Sequence, residues 1–261
     1  MADALGKEWA RKLFGKSVLK QRKLAEVVRA LGPVAGKRCL DLGSDNGVVS
    51  LLLRERGGSW ASGDLTEEAV SSIRGLVDED VHRVSGDSLP FGDATFDAVA
   101  VVDMLEHVPN DQGFARELAR VLRPEGVLVV NTPHHRETLL RRVRLGLGLT
   151  DEKHGHLRPG YTRESLGALL RPSFEVGESK TYTRAFSETV DTVMQFGLEG
   201  LGKKGSKKGV VVTGGDLNKH AKLFTAYSAI FPFVWVFSRL DALLPWNDGY
   251  RLLLVATKRN S

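Results

Sequence analysis

Between residues 37 and 132, short apolar runs alternate with amphipathic stretches. That alternation restricts the chain to a parallel sheet with right-handed crossovers and helices packed on its faces. Residues 39–43 (Cys-Leu-Asp-Leu-Gly) read as a short buried strand ending in a turn, and 46–56 as a helix. A second strand over 58–63 leads to Asp64. The helix expected over 66–76 opens with Thr66 as N-cap and Glu67-Glu68 in its first turn. Residues 81–85 form a third short strand, and 98–102 a wholly apolar one suited to burial on both faces. A helix over 111–122 stops before Pro124, and 126–132 is the fifth strand.

Outside this segment the pattern is less regular. Residues 7–31 show helical spacing, with Trp9, Leu13 and Phe14 on one face and Leu24, Val27, Val28 and Leu31 on another, ended by Gly32-Pro33. Residues 133–160 read as a long connection rich in His and Arg. A helix over 162–170, a strand over 174–183 and a helix over 184–198, with Phe186, Val190, Val193 and Met194 in phase, come next. Residues 200–215 read as a mobile Gly/Lys-rich linker. Residues 221–244 are apolar and aromatic, and 250–256 form a last strand. The expected organisation is one domain over 1–261, with an N-terminal helical segment (1–33), a core sheet (36–183 and 249–259) and a helical insertion or cap (184–248).

Chemistry concentrates at the ends of the strands. In Asp41-Leu42-Gly43-Ser44-Asp45-Asn46-Gly47 a buried strand passes through a glycine-bearing turn into a helix. Such a turn lets backbone amides approach the polar end of a ligand. The spacing Gly43-x-x-x-Gly47 does not fit the G-x-G-x-x-G of dinucleotide dehydrogenases. Asp64, about twenty residues on, stands where a carboxylate can accept from both ribose hydroxyls. Asp87, after the third strand, can accept from an exocyclic amine. Any one of these aspartates alone could be an ordinary turn residue; three in register at strand ends are a site signature.

These segments resemble class I S-adenosylmethionine-dependent methyltransferases of the type 11 group, which includes ubiquinone-biosynthesis methyltransferases. The similarity is carried by CLDLGSDNG, SGDLT, VSGDSLPFGDATFDAVAVVDMLEHVPN and VLRPEGVLVVNTP, within residues 39–133. The resemblance implies an α/β fold: a Rossmann-like, doubly wound seven-stranded sheet with its last strand antiparallel, here with the N-terminal helices and an insertion before that strand. It implies S-adenosyl-L-methionine as cofactor and S-adenosyl-L-homocysteine as product. It assigns Gly43, Ser44 and Gly47 to the methionine part, Asp41 to supporting the turn and the amino group, Asp64 and Leu65 to the ribose, Asp87 and Ser88 to adenine, and Asp103 to a place beside the cofactor. The middle glycine of the family's turn is Asp45 here, which puts affinity for the cofactor in question.

Methyl transfer needs alignment and exclusion of water, with a general base only for a nucleophile that keeps its proton. Candidates near the expected site are His107, which follows the fourth strand, and His154, His156 and Tyr161 in the stretch HGHLRPGYT; His134-His135 follow the fifth strand at the carboxyl edge, where a structural or solvent-facing reading is the stronger one. In an extended chain His154, His156 and Arg158 would face one pocket together. Each of these residues has an ordinary structural reading as well. No metal site is expected. Arg136, Arg141, Arg142 and Arg144 form a basic group that suits an anionic substrate or surface, or simply a solvated face.

The expected activity is methyl transfer to a small, lipophilic acceptor; a non-catalytic cofactor-binding scaffold is the alternative. A nucleic-acid methyltransferase is a third and lesser reading, suggested by the net charge of +5; against it stands the lack of a recognisable base-flipping motif or nucleic-acid-binding module. The aromatic run 226–238 beside Lys203, Lys204, Lys207 and Lys208, with a basic N-terminal helix, suggests peripheral contact with an anionic membrane surface. The single cysteine, Cys39, excludes an intramolecular disulfide, and no signal-peptide core or membrane-spanning run is evident. The cytoplasm, or the inner membrane face, is the expected location. The sequence leaves the oligomeric state open.

Overall fold

The computed structural model describes residues 4–151, 155–200, 228–243 and 248–260. His154 and the expected 200–215 linker with its lysines lie outside the described residues. Strands β1 (Arg38–Leu42), β2 (Ser59–Asp64), β3 (Val81–Arg83), β4 (Phe96–Val102), β5 (Leu122–Pro133), β6 (Phe174–Tyr182) and β7 (Arg251–Lys258) form one sheet. Its order is β3-β2-β1-β4-β5-β7-β6. The strands up to β5 pair in parallel, while β7 runs antiparallel to both β5 and β6. The seven-stranded fold expected from the sequence is therefore present.

Strand periodicity explains the two-sided core. Alternate residues point to opposite faces. Leu40, Leu42, Val99, Val101, Leu128 and Val130 pack on one face with Phe114 and Leu118 of α5 (Asp111–Val121) and Leu166 of α7 (Arg163–Leu170). Cys39, Ala98, Ala100, Val102 and Val129 pack on the other. There they meet Leu24, Val27 and Leu31 of α2 (Val18–Leu31) and Val48, Val49 and Leu53 of α3 (Val48–Arg54). A smaller cluster joins Leu51 to Val70, Ile73 and Leu76 of α4 (Glu67–Val77), which Thr66 caps as expected.

Two differences from the sequence reading matter. The N-terminal periodicity is split into α1 (Ala4–Gly15) and α2, because Ser17 caps a new helix by accepting from the Lys20 amide. The 133–160 connection contains a helix, α6 (Leu139–Gly146), capped by Thr138. It buries no residue, although Leu139, Leu140 and Val143 recur at helical spacing. The insertion supplies α8 (Ala185–Gly200) and a helix α9 over 228–239. Asp241, 1% exposed, fastens this region to the body. It accepts from the amides of Arg184, Phe186 and Ser187 at the start of α8 and pairs with Arg22 of α2 at 3.0 Å. Among the described residues, no helix is long and apolar enough to cross a membrane.

Candidate functional site

The turn after β1 forms with Asp45 in place. Gly43 has φ 84°, and a Cβ there would lie 2.3 Å from the Val102 carbonyl oxygen. Gly47 has φ 78°, and its Cβ would meet Ile73 Cα at 2.8 Å. Both glycines are thus demanded by close packing as well as by conformation. Asp45 sits at φ 57°, the left-handed region that Asp tolerates better than most residues.

Asp41 supports this turn from below. It is buried and accepts from Ser50 Oγ at 2.7 Å and Ser62 Oγ at 2.8 Å, with Arg54 at 3.9 Å. Ser50 Oγ lies 2.6 Å from Ser44 Oγ, so a hydroxyl chain links the buried carboxylate to the turn. Burial raises the Asp41 pKa, opposed by Arg54 and the two serines. Asp64, at the end of β2, accepts from the amides of Leu65 (2.7 Å) and Asp45 (3.3 Å). Burial pushes its pKa up to about 6.

A cavity of about 220 Å³ opens at the carboxyl ends of β1, β4 and β5, where parallel α/β sheets place ligands. Of the residues singled out in the sequence, Gly43, Ser44, Asp103 and His156 line it, together with Asp45 and Glu106. Asp41, Gly47, Asp64 and Leu65 stand behind or beside the turn, outside the lining. Asp87 and Ser88 are exposed on the turn after β3, also outside it.

The stretch after 154 is arranged differently from the expectation. His156 lines the cavity, but Arg158 turns away to donate to the carbonyls of Leu105 (2.9 Å), Val108 (2.8 Å) and Pro109 (3.1 Å). Tyr161 is also off the lining; it donates to Asp111 Oδ2 at 2.9 Å and accepts from Arg158 at 3.0 Å. The chain here is bent, so the two-residue facing rule for extended backbone does not hold. Arg158 and Tyr161 brace the 3-10 turn Leu105–His107.

That turn carries Glu106, fully buried and accepting from Thr132 Oγ1 at 3.3 Å, and His107, whose Nδ1 donates to the Gly155 carbonyl at 2.7 Å. The His107 and His156 rings meet edge to face at 4.8 Å. Glu106, His107 and His156 each bring one ligand atom within 4.8 Å of the others. The sequence reading expected no metal, and this triad is the nearest approach to a metal-ligand set among the described residues.

Much of the lining was not anticipated. α2 contributes Lys20 and Lys23, and α8 contributes Glu188 and Asp191. The run into β7 contributes Tyr250 and Arg251. His134, expected at the carboxyl edge after the fifth strand, also lines the cavity. Glu188 and Asp191, three apart on one face of α8, were the readable signal for that helix; the two lysines carried none. The basic group does reach the cavity through Arg136, Arg141 and Arg144, each held by a carboxylate: Glu188, Asp151 (2.6 Å) and Asp191 (3.5 Å) respectively. Burial lowers the pKa of His134. Its Nδ1 faces the Gly249 carbonyl at 2.9 Å. A carbonyl only accepts, so Nδ1 carries the proton and Nε2 is the basic nitrogen.

An S-adenosyl amino acid fits this donor set. Asp45 Oδ1 is buried on the lining without a hydrogen-bond partner. A buried acceptor of this kind suits an ammonium group. Lys20 and Lys23 stand beside the same turn with charge to offer a carboxylate.

Comparison with known proteins bears out the resemblance over the cofactor half. Residues 40–130 match the family model described as a methyltransferase domain. The demethylmenaquinone methyltransferase of Mycobacterium tuberculosis (strain H37Rv) is 35% identical over 111 residues, 42% of this chain and 45% of the relative. The ubiquinone biosynthesis O-methyltransferase of Ralstonia nicotianae is 28% identical over 113 residues, 41% of this chain and 48% of the relative. The chain thus spans under half the length of the curated relatives it matches. Solved structures share the fold. The cyclase SpnF superposes with a TM-score of 0.60 at 21% identity, covering 93% of this chain and 82% of its own. A SAM-dependent methyltransferase from Aquifex aeolicus gives 0.50 at 18% identity, covering 67% and 92%.

Proposed function

We propose that this chain is an S-adenosylmethionine-dependent methyltransferase acting on a small-molecule acceptor. The observation that carries the reading is the gathering of the 43–47 turn, the partnerless Asp45 oxygen and the Lys20–Lys23 pair around one cavity at the strand ends. The match of residues 40–130 to methyltransferase domains supports it.

S-adenosylmethionine, when bound, supplies a methyl group on a positively charged sulfur. In this reading Asp45 would hold its ammonium, Lys20 or Lys23 its carboxylate, and Asp64 with Leu65 its ribose. Asp87 and Ser88 would face its adenine. Asp103, Glu106 and His156 would border the transfer site, with His107 fixing the His156 ring. For a hydroxyl acceptor, His134 Nε2 offers a base on the cavity wall, and Tyr161, bound to Asp111 and Arg158, serves as a brace rather than a base. Isothermal titration with S-adenosylhomocysteine tests the reading, and absence of binding would overturn it.

The fold itself permits other uses, since one solved structure of this fold is described as a cyclase. A cofactor-binding role without methyl transfer is therefore the second reading. Turnover of S-adenosylmethionine with any acceptor excludes it.

Membrane contact belongs to the same proposal. Phe233 (75% exposed), Val236 (58%) and Ile230 (54%) stand outward on α9. Lys16 of α1–α2 lies 4.9 Å from the Phe231 ring. Apolar side chains flanked by lysines suit an anionic lipid surface, and would bring a lipophilic acceptor close to the cavity.

A further inference from the structure

The far wall of the cavity holds an unusual set of hydrogen-bond donors. Arg136 Nε and Arg141 Nε are both buried with no hydrogen-bond partner, and so is the Tyr250 hydroxyl. The three side chains that carry them border the cavity, with the donor atoms themselves set just beneath its surface. They come from separate places in the chain: the run after β5, α6, and the residue before β7. Both terminal nitrogens of Arg136 are occupied, by Glu188 and the Asp248 carbonyl (2.7 Å), and Arg141 Nη2 is held by Asp151. Arg251, whose guanidinium lies 5.2 Å from the Tyr250 ring, is itself a donor and cannot accept the phenol's proton. An unsatisfied buried donor costs about 1–3 kcal/mol. Three on one wall call for an acceptor that the protein does not supply.

Charge decides what kind. Six cationic side chains and six carboxylates line the cavity, so its formal charge is balanced. A bound S-adenosyl sulfonium adds one net positive charge. One further negative charge then restores neutrality, whereas a dianion leaves an excess in a partly buried site.

Resting on the methyltransferase reading, we propose that the methyl acceptor carries a carboxylate, held by the Nε–H groups of Arg136 and Arg141 and the hydroxyl of Tyr250. The acceptor's charged end is thereby anchored opposite the 43–47 turn, leaving its nucleophile toward Asp103 and His134.

The test uses the full chain and three probes: benzoate, its neutral isostere benzamide, and inorganic phosphate. Binding is measured by isothermal titration with and without saturating S-adenosylhomocysteine. Benzoate is expected to bind at least about tenfold more tightly than benzamide, both with and without S-adenosylhomocysteine, which lacks the sulfonium charge. Tyr250→Phe and Arg141→Lys, which keep volume or charge but remove the donor, should each weaken benzoate about tenfold and leave S-adenosylhomocysteine affinity within about twofold. Equal binding of benzoate and benzamide, or binding of neither, overturns the proposal; water alone then satisfies the donors. Tighter binding of phosphate overturns the carboxylate assignment. Failure of S-adenosylhomocysteine to bind while benzoate binds refutes the methyltransferase reading separately.

Discussion

Lys23 on α2 and Asp103 at the end of β4 are ion-paired although 80 residues separate them. Asp103 also accepts from Arg251 at 2.8 Å and from Asn131 at 3.0 Å. One carboxylate thus ties the N-terminal helices, the centre of the sheet and β7 to the same cavity edge. Removing one member of a buried charge group leaves the others uncompensated. Asp103→Asn is expected to lower unfolding free energy by about 3 kcal/mol. Lys23→Met should cost clearly less, because Arg251 still neutralises Asp103. Urea denaturation of the two variants checks the ranking, and equal losses would contradict it.

Asp64 makes stability and ligand binding depend on pH in opposite directions. Its folded pKa, about 6, lies above the ordinary carboxylate value of 3.8. The folded state therefore binds its proton more tightly than the unfolded state, and the stabilisation present at low pH is lost as pH rises from about 4 to about 6. Relative to Asp64→Asn, the wild type should gain stability as pH falls through that window. A carboxylate that accepts from ribose hydroxyls must be ionised, so S-adenosylhomocysteine affinity should fall below pH 6. Calorimetric titrations from pH 5 to 8 read this out, and a flat profile would remove Asp64 from the ligand.

Asp45 separates turn geometry from ligand recognition. Asp45→Gly suits the left-handed backbone, so stability should change by less than about 1 kcal/mol. Loss of its partnerless oxygen should nevertheless weaken S-adenosylhomocysteine about tenfold, as should Asp45→Asn. Stronger binding by the glycine variant would mean that the carboxylate obstructs the site.

With a hydroxyl acceptor, His134→Asn should reduce kcat by about 100-fold or more, with S-adenosylhomocysteine affinity unchanged. Burial holds the His134 pKa below its ordinary 6.5, so the acid limb of the rate profile should fall below that value and vanish in the variant. A variant that keeps the limb would assign it to another group.

Vesicle sedimentation tests the α9 face. The protein should pellet with anionic vesicles at low salt, and Phe233→Ser with Val236→Ser should abolish this. Equal recovery in the supernatant with and without vesicles would refute membrane contact.

The cofactor half was legible because its signals are local. Leu40 and Leu42 alternate with Cys39 and Asp41 in the period of a strand, and Thr66 and Thr162 sit where helices start. Asp41 was marked by the strand end, but its binding to Ser50 and Ser62 joins three elements and no spacing announces it. The other wall was hidden for the same reason. Lys20 and Lys23 look like any basic helix face until α2 is docked beside β1 and β4. α6 has an apolar phase in Leu139, Leu140 and Val143, but it is short, carries three arginines and buries no residue. Tyr250 and Arg251 reach the cavity only because β7 lies between β5 and β6.

That placement of β7 has a consequence for how the protein is made. β5 and β6 emerge from the ribosome well before residues 251–258, and each exposes a row of backbone donors and acceptors until β7 fills the slot between them. For that interval β5 and β6 each present an edge that β7 later covers, the hazard that invites pairing with a neighbouring chain. The strand that seals the sheet also delivers Arg251 to Asp103, so ligand competence and protection from aggregation arrive in a single late step.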